Sequence, residues 1–280
     1  MACKNPINIF KPGQGNHFNE KTKRFGKFQS FTCGQCRWCR FVRTRQWALR
    51  CYLEAQTHEA SAFVNLSYAP EHLPKNGSLK KDHMQKFIKR LRRRLEYEGF
   101  EGKIRFYASG EYGDSGHRPH YHILIFGYDF PDKYYWKKSE RGFNLYRSDF
   151  LEKTWKLGHS WIGDVDLQSA AYVAKYIRKK INGTDAAEHY KGRIPEFSLQ
   201  SSTPGIGYEW YQQNKHYLWD EDVIRCNGRS YRPPRYFEKI LEEENPERYA
   251  QFKIEKKNRL PFKVLNARGQ AEELETTPED

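Results

Sequence analysis

Seven residues, His120-Tyr121-His122-Ile123-Leu124-Ile125-Phe126, read as one β-strand that Gly127 ends. Side chains two apart on a strand share a face, so both imidazoles can approach one cation while Tyr121 points away. Ile104-Arg105-Phe106-Tyr107-Ala108 reads as another strand. The turn-rich stretch Gly110-Glu111-Tyr112-Gly113-Asp114-Ser115-Gly116 separates the two, which predicts an antiparallel pair. Glu111 then falls at the end of the neighbouring strand, on the rim the histidines occupy. Two imidazoles and one carboxylate make a three-ligand site with open positions, as hydrolytic and phosphoryl-transfer metals need. A plainer reading is two polar side chains on a half-exposed strand, and a His-x-His triplet alone arises by chance. Glu111 is what raises it. His117 is a weaker substitute ligand because it lies in the turn.

The flanking sequence supplies further elements. Residues 1–32 are polar and irregular and read as an arm or loop. A basic amphipathic helix is expected from about Arg37 to Glu59, with Trp47, Cys51 and Glu54/Ala55 returning at helical spacing. Residues 62–68 alternate apolar and polar as a strand, ending at Pro70. Ser78 can cap a helix running to Glu98, with Met84, Phe87, Ile88, Leu91 and Leu95 on its buried face. Residues 148–157 read as helix, 160–166 as strand and 168–181 as helix, stopping at Asn182-Gly183. The order β-α-β-β-α-β-α is that of an α+β protein, a split βαβ (ferredoxin-like) antiparallel sheet with helices on one side. Beyond Thr184 the signal weakens to Gly/Pro turns and a mixed-charge helix from about 236.

The helix at 168–181 carries a second pattern. Tyr172 and Tyr176 are four apart and lie on one face. Lys175 and Lys179 each follow a tyrosine by three. Packing tyrosines and solubilising lysines would give the same pattern. A phenol with a pKa near 10 is a poor nucleophile at neutrality, but a lysine one turn away favours phenolate. A metal would polarise a bound phosphate and offset its charge. Together these parts describe a tyrosine attacking a DNA phosphate beside a metal.

Charge agrees with such a substrate. The chain carries 49 Lys and Arg against 35 Asp and Glu, a formal +14. Residues 1–60 contribute 11 basic groups against 3 acids, and residues 78–98 contribute 8 against 3. These basic blocks are interleaved with Phe and Trp, which suits a polyanion whose unpaired bases can stack. Aromatic content of 16% argues against a mostly disordered chain. No run approaches the roughly 20 apolar residues of a membrane span. The N-terminus lacks a secretory profile, so a reducing compartment and free thiols are expected. Cys33-Gly-Gln-Cys36-Arg-Trp-Cys39 places three thiols at x2 spacing, able to reach one tetrahedral zinc with Cys51 or Cys3 as the fourth ligand. The alternative is a cysteine-rich turn without metal.

The His-hydrophobic-His strand followed by a tyrosine-bearing helix resembles the HUH endonucleases that start rolling-circle replication. More widely, C-G-Q-C-R-W-C-R, R-Q-W-A-L-R, F-V-N-L-S-Y, R-F-Y-A-S-G-E-Y-G, R-P-H-Y-H-I-L-I-F-G and Y-V-A-K-Y-I-R-K-K look like the replication initiators of gokushovirus-type microviruses. These segments span about 33–181; P-G-I-G-Y-E-W and Y-R-P-P-R-Y extend the likeness more loosely. The resemblance implies a two-tyrosine HUH fold and nicking and joining of single-stranded DNA at the viral origin. It implies Tyr172 and Tyr176 as alternating nucleophiles assisted by Lys175 and Lys179. His120, His122 and Glu111 would hold Mg²⁺ or Mn²⁺, the acid being the least secure transfer. The partners implied are origin DNA, a host helicase and a host polymerase in the bacterial cytoplasm. There is no phosphate loop for a nucleotide and no membrane anchor. The expected division is an N-terminal arm, Cys cluster and basic helix (1–59), an endonuclease domain (60–183) and an accessory region (184–280). Rival readings are a plasmid initiator or relaxase, a non-enzymatic DNA-binding protein, and a mono-iron oxygenase, which explains neither charge nor tyrosines.

Overall fold

Strand Ser61–Ser67 buries every residue except its two ends, so both of its faces need cover, and that decides the architecture. The computed structural model describes residues 3–113, 116–176, 179–181, 183 and 185–258, with 264–265 and 271–272. In chain order the elements begin with β1 (Ile7–Asn19), β2 (Arg24–Phe31), α1 (Arg37–Ala55), β3 (Ser61–Ser67) and α2 (Lys81–Tyr97). They continue with β4 (Arg105–Tyr112), β5 (Pro119–Phe126), β6 (Tyr134–Lys138), β7 (Asn144–Arg147), α3 (Asp149–Trp155) and β8 (Ser160–Gly163). Next come α4 (Leu167–Lys175), α5 (Asp185–Tyr190), β9 (Phe197–Gln200) and α6 (Tyr208–Glu221). The last described elements used here are β10 (Ile224–Cys226), β11 (Arg229–Tyr231), α7 (Arg235–Glu244) and α8 (Pro246–Asn258). Seven strands form one antiparallel sheet in the order β6-β7-β8-β3-β5-β4-β9.

Helices cover both faces, not one side as the element order suggested. Val64, Leu66, Ile123 and Ile125 pack under α2 and α3, whose Met84, Phe87, Ile88, Leu91, Leu95 and Trp155 are all buried. The alternate residues Phe63, Tyr107, Leu124 and Phe126 pack under Cys51 of α1 and Ala170 and Val173 of α4. Period-2 alternation thus assigns β5 one face for structure and another for the tyrosine-bearing helix. All five residues expected on the buried face of α2 are there. Replacing Leu91 with Ala should cost about 2–5 kcal/mol, read as a lower denaturant midpoint at unchanged slope.

Local departures have local causes. Ser78 does not cap α2, because its hydroxyl donates to Leu79 O and accepts the Ile194 N–H. The Lys80 N–H goes instead to the Tyr121 hydroxyl (2.9 Å), which also contacts the Tyr68 hydroxyl (2.8 Å). Helix α1 ends at Ala55 and β8 at Gly163, each shorter than expected. Helix α4 begins one residue early, because Asp166 and Ser169 form a reciprocal capping box, and ends at Lys175. Residues 114, 115, 177, 178, 182 and 184 lie outside the described residues. Residues 7–31, read as a loop, form an antiparallel ribbon of β1 and β2.

The C-terminal segment also folds. Leu49 and Leu53 of α1 pack with Trp210, Tyr211, Trp219, Phe237 and Phe252 in a separate core. Glu54, 1% exposed, joins the two regions by contacts with Arg105, with His58 (3.4 Å) and with the Gly207 N–H (2.5 Å). Burial alone would raise its pKa, but these three partners hold it below the ordinary carboxylate value.

Candidate active site and thiol cluster

The sheet register creates the site. On β4 and β5, Glu111 lies directly opposite His120 and Ser109 opposite His122, while Asn65 of β3 faces His122 from the other side. His120, His122, Glu111 and Asn65 therefore share the face that α4 covers. His122 is buried; its Nε2 lies 2.9 Å from Glu111 Oε1 and its Nδ1 lies 3.0 Å from Asn65 Nδ2. The amide donates to Nδ1, so the imidazole proton sits on Nε2 and is donated to Glu111, a tautomer assigned from the partners. The other carboxylate oxygen, Glu111 Oε2, pairs with Lys179 Nζ at 3.1 Å. Burial pushes Glu111 up, but the His122 hydrogen bond and the Lys179 ammonium bring it below its ordinary value. Burial holds His122 below the ordinary histidine range, against the pull of Glu111. The result is a neutral imidazole beside a buried carboxylate.

Both tyrosines meet this pair. Tyr176 stacks on His122, with centroids 4.6 Å apart and planes within 8°. Tyr172 stands edge-on to His122 at 5.2 Å and to Tyr176 at 5.1 Å. Tyr176 is 2% exposed, whereas Tyr172 is half-buried. Burial, followed by Glu111 and Tyr172, drives the Tyr176 phenol well above its ordinary pKa. The Lys175 ammonium lies 5.0 Å from the Tyr172 ring centroid, and that of Lys179 lies 5.3 Å from the Tyr176 ring.

His120 departs from expectation. Its Nδ1 donates to Arg118 O at 2.8 Å, and its ring rests against Gly113. Among the described residues, the donor atoms of His120, His122 and Glu111 do not gather within 4.8 Å of one another. His120 keeps its ladder position opposite Glu111, and Nε2 is the nitrogen left facing outward. His117 sits in the turn with a positive φ of 47°, apart from the sheet register.

The cluster that does gather within 4.8 Å is Cys3, Cys33, Cys36 and Cys39, able to hold a metal such as zinc. Cys3 is the fourth thiol, not Cys51. Cys51 is 12 residues beyond Cys39 on the same helix, which at 1.5 Å per residue is about 18 Å away. Its side chain is fully buried under the sheet.

Sequence reasoning also missed Asn65, whose role is set by a long-range register. Its amide offers a donor and an acceptor, so it serves either tautomer of His122. Asn65→Ala should shift the Mn²⁺ concentration for half-maximal activity upward about 10–100-fold, as loss of such supporting partners does. A merely structural residue would lower the melting temperature and leave that midpoint in place.

A seven-stranded antiparallel sheet with an imidazole–carboxylate pair under a two-tyrosine helix defines an HUH-like α+β protein. Residues 61–181 match a family model described as a replication-associated protein of the ORF2 type. The chain is 30% identical over 289 residues to the replication-associated protein ORF2 of Spiroplasma virus 4, covering 95% of this chain and 88% of that protein. It is 31% identical over 261 residues to the replication-associated protein VP4 of Bdellovibrio phage phiMH2K, covering 90% of this chain and 81% of that protein. It is 32% identical over 222 residues to the replication-associated protein ORF4 of Chlamydia phage 1, covering 75% of this chain and 53% of that protein. No solved structure matches the chain. The chain belongs to this family of microvirus-like phage replication-associated proteins.

No helix among the described residues is long and apolar enough to cross a membrane.

Proposed function

We propose that this protein starts rolling-circle replication by nicking and rejoining one DNA strand at the viral origin through tyrosine transesterification. The observation that carries the reading is the packing of Tyr172 and Tyr176 on His122, itself bonded to Glu111. Three features fit a divalent cation: a buried carboxylate already paired with the Lys179 ammonium, a neutral imidazole, and a second imidazole on the same face. His122 and Glu111 would hold it, with His120 completing the set by side-chain rotation. When bound, Mg²⁺ or Mn²⁺ polarises the scissile phosphate and offsets its charge. Imidazole is a softer donor than carboxylate, which favours Mn²⁺ of the two.

The chain's own residues supply the rest. The phenol oxygen bonds to phosphorus as the bond from phosphorus to the 3′-side oxygen breaks. The phenol proton leaves and that oxygen takes one up, giving a 5′-phosphotyrosyl link and a free 3′-OH. Lys175 and Lys179, each against a tyrosine ring, favour phenolate. Two tyrosines on one helix face suit a second cleavage after one round, in which the new 3′-OH attacks the first link and closes a circle. Bond energy is conserved, so joining needs no nucleotide. Unwinding and synthesis then fall to a host helicase and polymerase in the bacterial cytoplasm. In this reading residues 60–183 form the endonuclease unit, with 1–59 and 184–280 as its supports. The test is incubation with single-stranded origin DNA and Mg²⁺ or Mn²⁺. A denaturant-resistant protein–DNA adduct is expected; binding without adduct would leave a non-enzymatic DNA-binding protein.

A further inference from the structure

The four thiols bracket the β1–β2 ribbon. Cys3 lies four residues before β1, Cys33 lies two after β2, and Cys36 and Cys39 belong to the cap and first turn of α1. Cys33 and Cys39 sulfurs are 4.0 Å apart, and those of Cys36 and Cys3 are 3.9 Å apart. Four sulfurs at about 2.3 Å from a tetrahedral zinc stand about 3.8 Å from one another. Backbone N–H groups of Gln35 and Cys36 point at Cys33 Sγ (3.4 and 3.2 Å), and that of Cys33 points at Cys3 Sγ (3.3 Å). Such N–H···S bonds support thiolate ligands, and all four cysteines are free of disulfides.

The ribbon these thiols close is exposed on both faces; in β2 only Gly26 is buried. Register places Ile7 opposite Phe31 and Phe18 opposite Phe25, and puts Lys11 opposite Lys27 between them. Phe25 is 61% exposed and Phe18 48%. Exposed aromatics of this density mark an interaction surface. Residues 3–31 carry six Lys and Arg and one acid, Glu20. That balance disfavours a second copy of the same positive ribbon and favours a polyanion whose bases can stack.

We infer that Cys3, Cys33, Cys36 and Cys39 hold one Zn²⁺ that pins the ribbon to the start of α1, and that the pinned ribbon grips single-stranded DNA. The DNA part rests on the replication reading above. Full-length protein should contain about one zinc per chain by elemental analysis. Cys33→Ser/Cys36→Ser should lose it, and Cys226→Ala, a thiol outside the cluster, should keep it. Phe18→Ala/Phe25→Ala tests the ribbon in a chain that keeps its zinc. Its affinity for a labelled oligo(dT), measured by anisotropy without divalent cation, should fall about tenfold or more. Stripping zinc with a chelator should do the same and hasten proteolysis within residues 7–31, and zinc return should reverse both. Absence of zinc overturns the metal site. Unchanged DNA affinity in the Phe variant overturns the ribbon's role, as does a wild-type dimer that this variant makes monomeric. Because no cutting is needed, a loss of affinity without any wild-type adduct would refute the transesterase and leave the ribbon standing.

Discussion

Changing Tyr172 and Tyr176 together to Phe is expected to abolish the covalent DNA adduct while leaving single-stranded DNA binding within a few-fold of wild type. The substitution removes one oxygen from each ring and leaves the aromatic packing on His122 in place, so loss of fold is not the expected cause. Those oxygens are the only atoms asked to attack phosphorus. Persistence of a denaturant-resistant adduct in the double variant would falsify the mechanism. The single variants separate the two roles. Tyr176 is 2% exposed and its phenol is driven up by burial and by Glu111, so it is the poorer nucleophile in the resting arrangement. Tyr172 is the half-buried ring, close to Lys175. The first cleavage should therefore slow far more in Tyr172→Phe than in Tyr176→Phe, read in single-turnover gels. The reverse order would show that DNA binding reorganises α4 before chemistry.

What the sequence disclosed follows which signals are periodic. The strands β3, β4 and β5 and the helix α2 each bury a regular face, and their residues could be placed in advance. The pairing of Glu111 with the histidine strand could be read too, because the short turn between β4 and β5 constrains register. Asn65 could not, since the pairing of β3 with β5 spans more than fifty residues and leaves no local trace. The β1–β2 ribbon and β6 are exposed throughout or nearly so, so no apolar alternation marks them as strands. Cys3 and Cys51 were equal candidates by spacing. Helix rise separates them: α1 carries Cys51 away from Cys39, while the ribbon returns Cys3 to it. His120 had the right face and register, but a backbone carbonyl takes its Nδ1 proton, a choice that no pattern of residues records.

Glu111→Gln is the second large effect expected: cleavage should fall about 10²–10³-fold, the several kcal/mol that metal stabilisation of phosphate charge supplies. Gln is nearly isosteric with Glu and keeps an oxygen for the His122 Nε2–H, so the buried site is not emptied. What disappears is the negative charge, which faces the Lys179 ammonium at 3.1 Å and gives the two imidazoles a reason to share a cation. Single-stranded DNA binding should persist or rise, because a positive site loses its one buried acid. Excess Mn²⁺ should restore part of the rate by mass action, which a folding defect would not allow. His122→Ala tests the same pair from the other side, but it opens a cavity beneath Tyr176 and leaves Asn65 without its imidazole partner. The two variants must therefore agree in cleavage loss and differ in melting temperature. If Glu111→Gln weakens DNA binding as much as cutting, the carboxylate holds the sheet edge together and has no part in the chemistry.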